Sequence, residues 1–249
     1  MKLVVLLGCL LLLASPSYAA GTIDTISNAE GFTSGGTAST SHAHPIAADA
    51  NLVLVCLAER DGNAGGITSD TASVTVGGAS ATQLIAVQEA TPQVRMALFY
   101  KLAPTTGSQT VAATADTGAD LLVTSVISLK GVSQTGTFNV AGSTSSTGTT
   151  NVDINSLASA VGEFAIMCGA SATAASTASP DATAPTSTEQ LDVAHTNATS
   201  VRNWVYTEDG AATSIDMRVD LASSVRMAAV AVSIRGDSVD SFGPLRRRQ

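Results

Sequence analysis

The stretch VRMALFYKL, residues Val94–Leu102, decides the fold because its side chains alternate in character. Successive residues of a β-strand point to opposite faces of the sheet. Val94, Met96 and Leu98 therefore share one face, and Arg95 lies on the other. The pattern predicts a strand whose first face points into a hydrophobic core.

Short β-branched and apolar runs of this kind recur along the chain between Gly-, Asn-, Asp-, Ser- and Pro-containing turns. This spacing is typical of antiparallel sandwiches, and no stretch shows a sustained helical period. Besides the first stretch, the predicted strands are Thr37–His44, Leu52–Glu59, Ser73–Val76, Gln83–Gln88, Gln109–Ala113, Leu121–Leu129, Thr150–Asn155, Glu163–Ala170, Arg202–Thr207, Ser214–Asp220 and Val225–Ile234. The sequence predicts an all-β protein, a single antiparallel β-sandwich of jelly-roll-like form.

Two of the connecting segments and one strand carry further expectations. Ala141–Thr149 and Ser171–Pro185 are rich in small polar residues, which predicts exposed loops. Val225–Ile234 is apolar on both faces, which predicts a central strand. We expect the sandwich to span residues 37–236, with an N-terminal segment over 20–36 and a C-terminal tail over 237–249.

The N-terminus has the pattern of a secretory signal peptide over residues 1–19. Lys2 precedes the apolar run Leu3–Ala14, and small residues surround the predicted cleavage site between Ala19 and Ala20. The run is shorter than the roughly 18 residues of a membrane span, so we expect no membrane span. Cys9 offers a competing lipidation site, but the apolar run continues beyond it. The sequence therefore predicts a secreted protein, extracellular or at the cell surface.

Charge limits the classes of partner. The formal net charge is -8 at pH 7, although Arg246–Arg248 places three cations near the end of the sequence. Phosphate backbones are bound by clustered Lys and Arg side chains, so an acidic body argues against nucleic acid as a partner. The arginine run could tether the protein to an anionic surface, but short terminal charge runs are usually solvated.

Cys56 and Cys168 remain after the predicted cleavage, and both lie in apolar predicted strands. In an exported chain they can form a disulfide if those strands are adjacent. Two buried free thiols are the alternative, because cysteine is among the most buried residue types.

Three segments carry a resemblance to a known kind of domain: VTVGGA at Val74–Ala79, FYKLAP at Phe99–Pro104 and GSQTV at Gly107–Val111. The chain resembles a β-sandwich repeat of bacterial secreted and phage-associated surface proteins, over about Thr37–Ile234. The resemblance implies a jelly-roll-like sandwich at a surface. It implies no catalytic residues, because fold alone does not supply function.

The candidate ligand-binding set is Arg202, Trp204, Tyr206 and Glu208, which share one face of a predicted strand. The two aromatic rings could stack on a sugar while the charged residues hydrogen-bond its hydroxyl groups. The competing interpretation, which we favour, is that Trp204 and Tyr206 anchor the core while their polar tips reach the surface, as amphipathic aromatic residues often do.

Catalysis and metal binding find weaker support. A glycoside hydrolase needs two carboxyl groups about 5–10 Å apart, and Glu59, Glu163, Glu208 and Asp209 are the acids at strand ends. Sequence alone does not show such a pair, so no catalytic residue is assigned.

Metal ligands are few. His42 and His44 stand two residues apart, but a zinc site needs at least a third ligand, so we expect polar residues of an edge strand there. Loop acids such as Asp61, Asp116 and Asp120 lack the regular spacing of a calcium loop. We predict no metal and no cofactor.

Export, the Trp204 face and the missing catalytic set lead to one functional hypothesis and one alternative. The hypothesis is a secreted, non-catalytic surface-binding module for a glycan or a cell-envelope polymer. The alternative is a structural subunit of an extracellular or virion assembly that self-associates through strand edges or terminal segments.

Overall fold

The computed structural model describes residues 21–34, 36–62, 66–67, 71–89, 93–174, 177–180, 187–196, 200–211 and 213–237. The predicted signal peptide and nearly all of the predicted C-terminal tail lie outside these residues. The strands are β1 Thr22–Phe32, β2 Ser39–Ile46, β3 Ala50–Arg60, β4 Ser73–Val76, β5 Ala79–Ser80, β6 Thr82–Gln88, β7 Val94–Leu102, β8 Gly107–Thr114, β9 Leu121–Lys130, β10 Phe138–Ala158, β11 Glu163–Ser171, β12 Ala178–Pro180, β13 Thr188–His195, β14 Val201–Asp209 and β15 Ser214–Arg235. The predicted all-β, antiparallel sandwich architecture is confirmed. Jelly-roll connectivity stays a prediction.

The strands form three antiparallel sheets. The outer sheet has the order β2-β8-β4-β5, the first inner sheet β1-β9-β3-β7-β6, and the second inner sheet β10-β15-β11-β14-β13, with β12 paired to β15. Among the described residues, no helix is long and apolar enough to cross a membrane.

Each inner sheet is buried on both faces. In β3, Leu54 and Cys56 pack towards the second inner sheet, whereas Val53 and Val55 pack towards the outer sheet. Long apolar runs without polar alternation are what such a doubly covered strand requires. The predicted central strand is confirmed, because Val225–Ile234 lies within β15 between β10 and β11.

A long two-stranded ribbon, formed by β10 and β15, covers the far face of the second inner sheet. Strands β10 and β15 pair along most of their length, and their paired segments 151–158 and 214–221 fold back over that sheet. Gly142 and Ile154 belong to the same strand, yet a Cβ at Gly142 would lie 2.9 Å from the Ile154 side chain. This ribbon therefore closes a third hydrophobic core, which contains Trp204.

Cys56 and Cys168 form a disulfide, with 6.1 Å between their Cα atoms. The two strands are not neighbours in one sheet, since β3 belongs to the first inner sheet and β11 to the second. The bond therefore joins the two inner sheets through the core between them. This resolves the alternatives of a disulfide and two free thiols.

Three local expectations differ from the structure. Ala141–Thr149, predicted as a loop, belongs to β10, because its backbone pairs with β15. Thr22–Phe32, placed in an N-terminal segment, forms β1 and pairs with β9. Ala178–Pro180, within the predicted loop Ser171–Pro185, forms β12 and pairs with β15. The face of β7 opposite Val94, for which the pattern made no prediction, is also buried and includes Arg95.

Candidate functional site

Trp204 and Tyr206 lie inside the third core, with 0% and 1% of their surface exposed. Trp204 pairs with Gly169 across β14 and β11, where a Cβ would lie 2.3 Å from the indole ring. A glycine in a strand often marks such a close approach. The two rings therefore present no face to a sugar, and their burial agrees with the core-anchor interpretation. The expected surface position of the polar tips is wrong for Trp204, because its Nε1 is buried and has no hydrogen-bond partner among the described residues.

The polar groups around these rings bond to one another. The Arg202 guanidinium donates to both carboxylate oxygens of Asp192, at 2.5 and 2.8 Å, and to the Ala174 carbonyl at 3.0 Å. The hydrogen bond to Asp192 raises the pKa of Arg202. The Tyr206 hydroxyl donates to Glu189 Oε2 at 3.1 Å, and burial raises the pKa of Tyr206. Arg202 and Tyr206 thus tie β14 to the edge strand β13.

Glu208, the fourth member of the candidate set, lines a shallow pocket at the far end of β14. The pocket has a volume of about 170 Å³ and is lined by Phe164, Thr188, Gln190, Thr207, Glu208 and Asp209. Ser187 Oγ donates to Glu208 Oε2 at 2.9 Å, and Gln190 Nε2 donates to Thr207 Oγ1 at 3.0 Å. Sites for drug-sized ligands usually occupy about 300–1,000 Å³, so this pocket fits at most one small polar unit.

Of the acids considered for catalysis, Glu59 lies in the first inner sheet, whereas Glu163, Glu208 and Asp209 lie at neighbouring ends of β11 and β14 in the second. Glu59 and Asp116 share the Arg95 guanidinium, whose Nη1 lies 3.0 Å from Glu59 Oε2 and 2.5 Å from Asp116 Oδ2. All three side chains are buried, with at most 4% of any of them exposed. Glu163 accepts hydrogen bonds from Asn139, Ser233 and the Ala160 backbone instead.

One arginine cannot neutralise two buried carboxylates, and this imbalance shows in Glu59. Burial raises the pKa of Glu59 to about 8, although Arg95 and the Asp116 backbone N–H both favour its charged form. Asp116 is held by Arg95 and by the backbone N–H groups of Thr71 and Ala72. The cluster is therefore closest to neutral when Glu59 keeps its proton.

His42 and His44 converge on one hydroxyl group. Ser27 Oγ lies 3.0 Å from His42 Nε2 and 2.7 Å from His44 Nδ1. β2 is the edge strand of the outer sheet, as expected for these residues, but His44 is fully buried. Within the described residues, no group of three or more His, Cys, Asp or Glu side chains could hold a metal ion.

A polar chain that the sequence analysis did not find crosses between the inner sheets. Its links are Glu30 Oε2 to His195 Nδ1 at 2.8 Å, His195 Nε2 to Asn203 Oδ1 at 2.8 Å, and Asn203 Nδ2 to Ser125 Oγ at 2.6 Å. Sequence separations of up to 165 residues hide such a chain from any local pattern. Like the Arg95 cluster, it fastens elements together inside the protein.

Comparison of the chain with models of protein families, with curated proteins and with solved structures found no match. The resemblance to secreted and phage-associated sandwich repeats therefore stays a prediction, and the function has to be argued from the geometry.

Proposed function

We propose that the protein is a secreted, non-catalytic structural subunit that assembles with further copies of itself through a sheet edge. The burial of Trp204 carries this choice, because the surface-binding hypothesis depended on an exposed aromatic face. The Cys56–Cys168 disulfide supports export, since disulfides persist in oxidising compartments.

The edge we assign to assembly is β13. In the described part of the chain, β13 pairs only with β14, so its other side carries free backbone hydrogen-bonding groups. Natural edge strands are commonly protected by lysine, proline or a very short length. Thr188–His195 has eight residues and neither lysine nor proline.

The acids of β13 do not protect the edge either. Asp192 bonds to Arg202 and Glu189 to Tyr206, both on β14, so both carboxylates are held over the sheet face. Ala194 is exposed and small. When a second β13 approaches this edge, Asp192 keeps its ion pair with Arg202, and the exposed Glu189 keeps its hydrogen bond from Tyr206.

The test is size-exclusion chromatography with light scattering on the predicted mature chain, residues 20–249. We expect oligomers for the native sequence and monomers for Ala194→Lys, because lysine on an edge opposes strand pairing. Val161→Lys, at a turn residue that is 72% exposed, is the matched control and should still assemble. A native chain that stays monomeric at all concentrations contradicts the proposal.

The pocket at Glu208 keeps a surface-binding role as the second candidate. A hydroxyl-rich ligand of one small unit could take hydrogen bonds from Gln190 and Thr188 while packing on Phe164. A monomeric native chain that binds one member of a glycan panel, and loses that binding on Glu208→Gln, would place this function first.

A further inference from the structure

The contact between β1 and β2 is formed by two histidine side chains and one serine hydroxyl group. We propose that it is an acid-sensitive joint, in which protonation of His44 and His42 separates the edge of the outer sheet from the first inner sheet.

The joint is built on Ser27. Its Oγ is the shared hydrogen-bond partner of His42 and His44 and connects β1 to β2. A hydrogen bond between Thr40 Oγ1 and Thr124 Oγ1, at 3.3 Å, joins β2 to β9, the neighbour of β1 in the first inner sheet. Polar side chains therefore form both of these contacts between β2 and the first inner sheet.

Ser27 can form a hydrogen bond with each imidazole when both imidazoles are neutral. Ser27 has one hydroxyl proton, so it donates to one ring and accepts an N–H from the other. His42 Nδ1 and His44 Nε2 are buried and have no hydrogen-bond partner among the described residues. Another proton on His44 would thus place a charge in a fully buried position, and it would either add an N–H without a partner at Nε2 or displace the hydrogen bond that Ser27 donates to Nδ1.

The surrounding charges do not compensate for that proton. Asp24 on β1 is the carboxylate that favours charged His44, but its Oδ2 already accepts from Ser128 Oγ at 3.2 Å and the Ala47 N–H at 3.3 Å. His42 opposes the charge.

The remaining titratable groups near the joint are engaged elsewhere. Lys130 on β9 pairs with the exposed Asp49, and Glu30 on β1 bonds to His195. β8, which pairs with β2, has no titratable side chain.

The direction of the response follows from these contacts. Burial, and next the charge of His42, lower the pKa of His44 from 6.5 to about 4, and burial lowers the pKa of His42 as well. The separated state binds protons at its ordinary pKa, so the closed contact is fully stable above pH 6.5 and loses stability as the pH falls towards 4.

The experiment is hydrogen–deuterium exchange of the intact mature protein near pH 7 and near pH 4.5, corrected for the intrinsic pH dependence of exchange. From the His44 shift, we expect protection of β1 and β2 peptides to fall by up to about 60-fold between these values. Peptides of β11 and β14 should keep their protection and serve as the internal reference.

His44→Gln removes the titrating group but keeps a hydrogen-bonding side chain, so its β1 and β2 peptides should stay protected at low pH. Val161→Lys, at an exposed turn residue outside β1 and β2, is the control and should behave like the native chain. Equal loss of protection in the native chain and His44→Gln, or native β1 and β2 peptides that stay protected at low pH, would overturn the proposal.

If His44→Gln does not fold, the titration of His44 in the native chain by NMR decides instead. A midpoint well below 6.5, accompanied by exchange broadening of β1 and β2 signals, supports the joint. A midpoint at the ordinary value with both strands still protected overturns it.

Discussion

The third core around Trp204 is apolar, the cluster around Arg95 is charged, and both are buried. Trp204 is an amphipathic aromatic residue that fits because Gly169 leaves room for its ring. Arg95 is a cation that is buried because Glu59 and Asp116 approach it from two other segments. In both regions, residues that suggest binding or catalysis in the sequence are used inside the protein.

The comparison also indicates which changes should destabilise each region. The Trp204 region depends on shape, so added volume should disturb it and pH should not. The Arg95 region depends on charge balance, so removal of one charge should disturb it and pH should alter it. Substitutions in one region can therefore be tested against the other.

The largest expected effect is that of Arg95→Met. This change leaves Glu59 and Asp116 buried without their cation, which should reduce the free energy of unfolding by about 3–5 kcal/mol. Urea unfolding at neutral pH, followed by circular dichroism, measures the loss.

Because Glu59 keeps its proton at neutral pH, the paired variant Arg95→Met/Asp116→Asn removes the other carboxyl partner of Arg95 and should recover part of that stability. If Arg95→Met unfolds at the same urea concentration as the native chain, charge balance is not what holds this region together.

Gly169→Ala should have an intermediate effect. The new Cβ would overlap the Trp204 indole, and overpacking of this kind costs about 1–3 kcal/mol. Trp204 is the single tryptophan of the chain, so its fluorescence reports the displacement directly.

Gly169→Ala should destabilise a chain that already carries Trp204→Phe less than it destabilises the native chain, because the smaller ring leaves room for the added methyl group. An indole that tolerates Gly169→Ala with unchanged emission and stability would mean that Trp204 has space to move, contrary to its close packing.

Local pattern predicted most of the strands, although not β1, β5, β12 or β13, and it was insufficient for their surroundings. Val94–Leu102 was predicted as a strand and forms β7 with those bounds. The pattern could not show that both faces of β7 are covered, because the outer sheet that covers Arg95 comes from distant segments. Glu59 lies 36 residues from Arg95 along the chain.

The burial of the candidate site could not be predicted for the same physical reason. The alternation in Arg202–Glu208 correctly places Trp204 and Tyr206 on one face, as their shared core shows. Whether that face meets solvent depends on the two-stranded ribbon of β10 and β15. Ala141–Thr149, which belongs to β10, resembles a loop in composition. Gly169 was the available signal, since a glycine within an apolar strand indicates close approach.

The smallest expected effect, at mildly acidic pH, is that of Glu59→Gln, because glutamine is neutral like protonated Glu59 and its carbonyl oxygen can accept one of the two hydrogen bonds, from Arg95 or from the Asp116 N–H. The difference should appear as the pH rises. The pKa of Glu59 is raised to about 8 from 4.5, so the stability linked to its proton is fully present below pH 4.5 and is lost as the pH rises through 8.

The native chain should therefore lose stability relative to Glu59→Gln between these values, with a slope of at most about 1.4 kcal/mol per pH unit. Thermal unfolding of both proteins across this range, with Gly169→Ala as a comparison, measures the slope. Gly169→Ala should stay parallel to the native chain, because the Trp204 region has no proton to gain. Parallel curves for the native chain and Glu59→Gln would mean that Glu59 is ionised in the folded protein, and that Arg95 balances both carboxylates.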